Sequence, residues 1–294
     1  MHDLEFTLWP ASVRLHPFEA QVRAAAAGGF TALAVAPTTY LETVARGVSA
    51  RDMLRMAGDA GISLSSLDTL TSWAPNHLTN EFDAELLSRW SISLDQGFEA
   101  CAELELRQIL ACAAYRSRSV ATQQLVDGFG ALCERAARAG IWVDLEPMPF
   151  TGCRNIADAW AVVGGAEREN SGILMDAWHF YRANQDLDAI ANIPGRYFRT
   201  MQVNDAPAAP VGSSLFEETV RHRRFPGDGE LPVTDFIRAV LDKGALRSVG
   251  PEVFSSETDL LEAEESGRIA GRKTRDALAA AGVVLPSRGH VARP

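Results

Sequence analysis

Four oxygen-bearing side chains follow short apolar runs and could together hold a divalent cation. They are Glu146 after IWVDL, Asp176 after GILM, Gln202 after RTM and Glu252 after VGP. Each run is typical of a buried strand. Carboxylate and amide oxygens suit Mg²⁺ or Mn²⁺ better than zinc or copper. We therefore predict that these four residues bind one divalent metal ion and leave positions open for water or a substrate oxygen.

Several further side chains are candidates for contact with a substrate. His179 lies three residues after Asp176. Because Asp176 is closer to the strand end, we assign Asp176 to the metal, and His179 to a substrate hydroxyl and to catalysis. Arg223 could hold a carboxylate or phosphate through its planar guanidinium group. Trp73 and Trp178 could form an apolar wall against a sugar ring.

Eight short apolar or β-rich runs alternate with stretches of helical period. The runs cover residues 4–8, 32–35, 63–67, 108–112, 142–145, 173–175, 200–204 and 249–254. The helical stretches cover residues 18–27, 50–60, 81–105, 122–139, 155–163, 233–241 and 267–281, with a short sixth connection at 186–191. Alternating strands and helices predict parallel pairing with right-handed crossovers. Eight units predict an α/β fold, a closed (β/α)8 TIM barrel in a single domain over residues 1–286, followed by a tail at 287–294.

Such a barrel brings the candidate ligands together. The carboxyl ends of its strands surround one mouth, so residues that end strands five to eight would be neighbours on the rim. Two long connections, 68–81 and 205–231, follow strands three and seven and are expected at the same face. His77 in the first is a further candidate acid or base. Asp205 in the second is a candidate to brace the loop or a ligand.

Composition excludes several classes of function. The chain has 294 residues, 47% of them hydrophobic, and a net charge of −10, which argues against a nucleic-acid surface. Its four cysteines form no C-x-x-C pair and fit thiols in a reducing compartment. No apolar stretch reaches the roughly 20 residues of a membrane span, and the first residues do not resemble a signal peptide. We expect a cytoplasmic protein with no nucleic-acid or membrane partner, and we allow for a homo-oligomer.

The sequence resembles the xylose isomerase-like TIM-barrel superfamily, often described as sugar phosphate isomerases and epimerases. The matching segments are AGGF at 27–30, WAP at 73–75, LEPMP at 145–149, GILMDAWH at 172–179, MQVNDAP at 201–207, PGDGE at 226–230 and GPEVF at 250–254. The resemblance implies metal ligation by Glu146, Asp176, residue 202 and Glu252, and a substrate role for His179. It extends that role to Arg223. In the ketose epimerase branch position 202 would be a histidine, whereas Gln202 looks more like the 3-dehydroshikimate dehydratase branch.

The reaction that such a site favours is proton transfer at the carbon next to a carbonyl group. A divalent ion acidifies the α-carbon proton of a keto-sugar and stabilises the enediolate, with Glu146 and Glu252 as proton carriers. We predict a metal-dependent isomerase or epimerase of carbohydrate metabolism that acts on a small keto-sugar or related polyol. The alternative is a lyase that dehydrates a cyclic keto-polyol such as 3-dehydroshikimate or an inosose.

Two further alternatives come from other classes of protein. One is a non-catalytic binding or partner subunit that has retained the barrel fold. The other is an endonuclease IV-like DNA repair enzyme, which needs more histidines for a trinuclear zinc cluster and a basic face. Six histidines and the net charge of −10 count against that last alternative.

Overall fold

The chain forms a closed barrel of eight parallel strands, each hydrogen-bonded to the next and the last to the first. The computed structural model describes residues 4–75, 92–114 and 120–285. The strands are β1 Glu5–Leu8, β2 Ala32–Val35, β3 Ser63–Leu70, β4 Gln108–Cys112, β5 Trp142–Glu146, β6 Ser171–Asp176, β7 Thr200–Val203 and β8 Ser248–Pro251. The predicted fold class is therefore confirmed.

Helices surround the barrel and connect successive strands. Within the described residues they are α1 Phe18–Ala27, α2 Pro37–Ala45, α3 Ala50–Asp59, α4 Leu94–Glu103, α5 Thr122–Arg138, α6 Ile156–Ala166, α7 Ala177–Arg182, α8 Leu215–Arg221, α9 Val233–Leu241 and α10 Ala263–Ala280. Short 3-10 turns cover Pro10–Val13, Leu187–Ile190, Gly195–Tyr197 and Thr258–Leu260. No helix in these parts of the chain has both the length and the apolar character needed to cross a membrane.

The apolar side chains form two layers of core. The larger layer lies between the strands and the surrounding helices, and the inner layer fills the barrel with Trp9, Ala34, Leu110 and Leu174, all of them fully buried. Turns that end a helix and begin the next strand are made by glycine. Gly61 and Gly140 both have φ of +67°, a conformation that other residues rarely adopt.

The first and last helices pack closely and close the barrel. A Cβ atom on Gly267 would overlap the carbonyl oxygen of Ala24, and one on Gly271 would overlap that of Gly28. Arg275 donates hydrogen bonds to the carbonyl oxygens of Gly28 and Gly29. Small residues therefore allow α1 and α10 to pack backbone to backbone beside the β1–β8 pair.

The strand predictions agree with the structure to within three residues at every end. The predicted helix 233–241 is confirmed, and Asn155 caps α6 by accepting a hydrogen bond from the backbone of Asp158. The prediction of a helix from residue 81 onward is confirmed only for Leu94–Glu103, since residues 76–91 lie outside the described part. His77 and the predicted tail at 287–294 lie outside it as well.

Candidate metal centre

Three carboxylates from neighbouring strands converge at the carboxyl end of the barrel. Glu146 and Asp176 are the last residues of β5 and β6, and Glu252 directly follows β8. All three are at most 4% exposed. Each offers a carboxylate oxygen, and these oxygens lie within 4.8 Å of one another. One cation could therefore contact all three residues.

Gln202 lies on β7, between Asp176 on β6 and Glu252 after β8. It is paired in register with Asp176 on β6 and with Gly250 on β8. Its Nε2 donates to Oε1 of Glu252 over 3.0 Å. Its Oε1 is buried and, within the described residues, accepts no hydrogen bond, and the same holds for Oε1 of Glu146. A buried acceptor without a partner costs about 1–3 kcal/mol, so these two oxygens fit a site that is completed by a metal ion.

Arg223 lies among the carboxylates and is itself only 2% exposed. Its Nη1 donates to Oδ2 of Asp176 over 3.1 Å and to Oε2 of Glu252 over 2.8 Å. Its Nε and Nη2 donate to Oγ1 of Thr219. Burial opposes its charge, but the carboxylates of Asp176, Glu252 and Glu146 outweigh burial and raise the pKa of Arg223. The guanidinium group therefore holds the carboxylates in place, and the structure does not present it as a free anchor for a substrate anion.

His179, in the first turn of α7, faces the same cavity. Its backbone N–H donates to Oδ1 of Asp176. Its Nε2 lies 2.9 Å from Nη2 of Arg223 and 3.5 Å from Oε1 of Glu146. Because arginine can only donate, Nε2 accepts and the proton of the neutral ring is on Nδ1. Burial, assisted by the charge of Arg223, lowers the pKa of His179 well below its ordinary value. The ring is therefore neutral, and its buried Nδ1–H has no acceptor within the described residues.

The two glutamates have strongly perturbed acidity. Burial, followed by the negative charges of Glu252 and Asp176, raises the pKa of Glu146 well above its ordinary value. Burial also raises the pKa of Glu252, although Arg223 opposes that shift. A raised pKa brings a carboxyl group closer to the range in which general acids and bases operate.

Asp68 is a site residue that the sequence analysis did not select. It lies on β3 and lines the cavity together with Glu146, His179 and Glu252. Burial raises its pKa to about 7, with Arg223 opposing and Asp176 reinforcing the shift. The signal was an acidic residue at the end of a strand, the same pattern that identified the other carboxylates. It was not selected because the run before it, SLSSL, contains three serines and does not read as an apolar strand.

Asn204 was also missed. Its Nδ2 donates to Oδ2 of Asp176 over 2.6 Å, and its Oδ1 accepts from the backbone N–H of Trp178 over 2.7 Å. It therefore fixes the orientation of one carboxylate. Asp205 has a different task, because it accepts backbone hydrogen bonds from Ala206, Gly227 and Leu231. It braces the long loop after β7, which was one of its two predicted roles.

A cavity of about 130 Å³ opens above the carboxylates. Part of its wall is apolar and includes Met148, Phe150, Phe216, Val220 and Phe254. Arg14 lies at the rim and makes two hydrogen bonds with the carboxylate of Asp259, of 2.9 and 2.6 Å. The cavity wall thus combines buried carboxylates with an apolar surface.

The two tryptophans expected against the substrate lie in the protein interior. Trp178 is fully buried beside the guanidinium group of Arg223 and bonds to Glu218. Trp73 is 6% exposed and packs edge-on against Phe129. Neither is among the described residues that line the cavity. Phenylalanines supply the apolar wall instead, so this placement gives no support to substrate contacts by Trp73 and Trp178.

The family profile of the xylose isomerase-like TIM barrel matches residues 22–276, and the chain belongs to this family. The chain is 25% identical over 240 residues to a 3-dehydroshikimate dehydratase of Pseudomonas putida, a match that covers 80% of this chain and 36% of the dehydratase. It is 23% identical over 184 residues to the inosose isomerase of Bacillus subtilis, covering 60% of this chain and 65% of the isomerase. This chain therefore spans about a third of the dehydratase and just under two thirds of the isomerase.

A solved structure of the IOLI protein with a bound zinc atom has the same fold. It is 18% identical to this chain, covers 94% of it and 98% of its own length, and superposes with a TM-score of 0.78. The curated relatives carry the names of enzymes, which supports an enzymatic role. They belong to two reaction classes, a dehydratase and an isomerase.

Proposed function

We propose that this protein is a divalent-metal-dependent enzyme that isomerises or epimerises a keto-sugar or cyclic keto-polyol. The observation that carries this proposal is the convergence of Glu146, Asp176 and Glu252 beneath one cavity, next to the unsatisfied amide oxygen of Gln202. The likeness to an inosose isomerase supports the reaction class. The all-oxygen ligand set favours Mn²⁺ or Mg²⁺, and the zinc atom of the IOLI structure makes zinc the ion to compare with them.

Glu146, Asp176, Gln202 and Glu252 would hold the metal ion. When bound, the ion supplies Lewis acidity that eases removal of a proton from the carbon next to a carbonyl group. Glu146 and Glu252 reach the cavity from β5 and from the end of β8, so one can take the proton and the other return it. Return of the proton on the opposite face gives the epimer.

The remaining side chains position the substrate. His179 can donate its free Nδ1–H to a substrate hydroxyl oxygen. Arg223 and Asn204 hold the carboxylates in fixed orientations. The apolar wall of Phe150, Phe216 and Phe254 can cover the carbon face of a ring and exclude water from the reacting atoms.

A dehydratase is the second candidate. It is favoured by Gln202 at the fourth ligand position and by the match to the Pseudomonas putida enzyme. The same carboxylates would remove the α-proton, and a β-hydroxyl group would leave as water in place of proton return. The product would then contain a carbon–carbon double bond conjugated to the carbonyl.

One set of measurements tests both candidates. Metal content is determined by elemental analysis, before and after chelation and after addition of Mn²⁺, Mg²⁺ or Zn²⁺. The protein is then incubated in D₂O with ketohexoses, an inosose and 3-dehydroshikimate, and the products are followed by NMR and ultraviolet absorbance. Exchange of the α-proton with formation of an isomer is the expected result, and a new absorbing enone would identify the dehydratase. A protein that takes up no divalent cation and exchanges no carbon-bound proton would refute both.

A further inference from the structure

Asp68 and Glu146 are the carboxylates in the wall of the described cavity that accept no hydrogen bond from a described residue, and of these two only Asp68 lies outside the proposed set of metal ligands. Asp176 bonds to Arg223 and Asn204, and Glu252 bonds to Arg223 and Gln202. Asp68, by contrast, forms no hydrogen bond or ion pair with any residue in the ranges 4–75, 92–114 and 120–285, and its side chain is only partly exposed. The neighbouring Thr69 directs its hydroxyl to the carbonyl oxygen of Leu110. The carboxylate of Asp68 is therefore an available acceptor.

The cations in the described cavity wall are already paired. Arg223 is shared between Asp176 and Glu252, and Arg14 is held by both oxygens of Asp259. His179 is neutral. Within the described residues, no unpaired cation therefore faces a carboxylate or phosphate group of a bound ligand.

The net charge of the site also disfavours an anionic ligand. Among the described residues, the four carboxylates of Asp68, Glu146, Asp176 and Glu252 face the guanidinium group of Arg223, so a divalent cation leaves one net negative charge when all four are ionised. A further anion in this buried space would be repelled, because charges interact strongly where water is excluded. The burial and like charge that raise the pKa of Asp68 would act on an anionic ligand in the same way.

We propose that Asp68 determines substrate specificity by accepting hydrogen bonds from substrate hydroxyl groups, and that it selects an uncharged polyhydroxylated ring over a carboxylated one. This inference rests on the proposed function, and it narrows that function to a neutral cyclic keto-polyol. Phe150, Phe216 and Phe254 cover the carbon face of such a ring. Asp68 accepts a hydrogen bond from one of its hydroxyl groups, and His179 donates a hydrogen bond to another.

Isothermal titration calorimetry with two unreactive probes tests this proposal. The probes are myo-inositol, which is uncharged, and shikimate, which carries a carboxylate. Each is titrated into the protein with and without Mn²⁺. The wild-type protein is expected to bind myo-inositol at least tenfold more tightly than shikimate. Asparagine offers only a neutral acceptor, and hydrogen bonds to charged groups are the stronger ones, so Asp68→Asn should weaken myo-inositol binding by roughly tenfold and strengthen shikimate binding.

Asp259→Asn is the matched control. It removes the same negative charge and releases Arg14 at the rim of the cavity, but it leaves the hydroxyl acceptor in place. It should therefore strengthen shikimate binding and leave the affinity for myo-inositol unchanged. Thermal melts and circular dichroism of each variant report whether it is folded.

Three results would overturn the proposal. They are a wild-type protein that binds shikimate as tightly as myo-inositol, an affinity ratio in Asp68→Asn within twofold of wild type, and binding of neither probe. Failure of the proposed function is read separately, from metal analysis and from exchange of carbon-bound protons. The protein could lack metal and turnover and still bind myo-inositol more tightly than shikimate in a manner that depends on Asp68. That result would support the role of Asp68 in binding and refute the proposed reaction.

Discussion

Replacement of Arg223 by glutamine should have opposite effects on the stability of the metal-free protein and on its affinity for metal. The guanidinium group is almost fully buried and makes ion pairs of 3.1 and 2.8 Å with Asp176 and Glu252. Removal of one partner from a buried ion pair typically costs about 3–5 kcal/mol. The free energy of unfolding of the metal-free protein should fall by about this amount, because the carboxylates lose their counter-charge.

The same substitution should strengthen metal binding. A unit charge and a divalent charge on the order of 5 Å apart repel by roughly 7 kcal/mol at an effective dielectric constant of 20. Protonation of the carboxylates will offset much of this gain. We therefore expect an increase in Mn²⁺ affinity of about tenfold, which corresponds to about 1.4 kcal/mol.

Arg182→Gln provides the matched control. Arg182 is also buried and pairs with the buried Glu218, but it forms no hydrogen bond or ion pair with Glu146, Asp176 or Glu252. Unfolding in urea with a chelator present measures stability, and calorimetric titration with Mn²⁺ measures affinity. Both variants should lose stability, and only Arg223→Gln should gain affinity. Unchanged or weaker Mn²⁺ binding in Arg223→Gln would refute this account of the site.

Three further sets of substitutions test separate parts of the structure. Glu146→Gln and Glu252→Gln should each lower turnover by at least about a hundredfold, since general acid–base catalysis is lost, while circular dichroism stays unchanged; near-normal rates would contradict the role given to that carboxylate. Asn204→Ala should weaken Mn²⁺ binding by about 10- to 100-fold, because Asp176 loses the group that orients it, and calorimetry would show wild-type affinity if this orientation were unimportant. Gly267→Ala should lower the free energy of unfolding by about 1–3 kcal/mol through overlap with α1, whereas Gly58→Ala, with open space around its Cα, should raise it by about 0.5–1 kcal/mol; equal effects would argue against the helix contact.

The positions of the metal-site candidates could be predicted because a barrel turns strand order into spatial order. Glu146, Asp176 and Glu252 are far apart in sequence, yet each follows a run of apolar residues, and parallel strands place such endings on one rim. Asp68 and Asn204 could not be selected with the same ease. β3 has the polar sequence SLSSLDTL, so its end is hard to locate from an apolar pattern. Asn204 acts through Asp176, and that contact exists only in three dimensions.

The orientation of individual side chains was the main gap in the sequence analysis. Whether Trp178 faces the cavity or the interior depends on the rotation of α7, a six-residue helix that begins directly after Asp176. No loop separates that helix from β6, so the sequence pattern did not indicate where it begins. The same is true of α2, which starts two residues after β2. Arg223 was expected to meet a substrate anion, but the strength of its pairing with carboxylates depends on distances that a sequence does not contain.

The pairing of β1 with β8 has a consequence for how this barrel can be combined with other domains. Because the ring of strands is complete, no row of backbone donors and acceptors is left open at either end of the sheet. A further domain in the same polypeptide would therefore find no open strand edge in this sheet with which to pair. A barrel of this construction can be one module in a longer chain without being unravelled by its neighbours, which agrees with its match to about a third of a larger dehydratase.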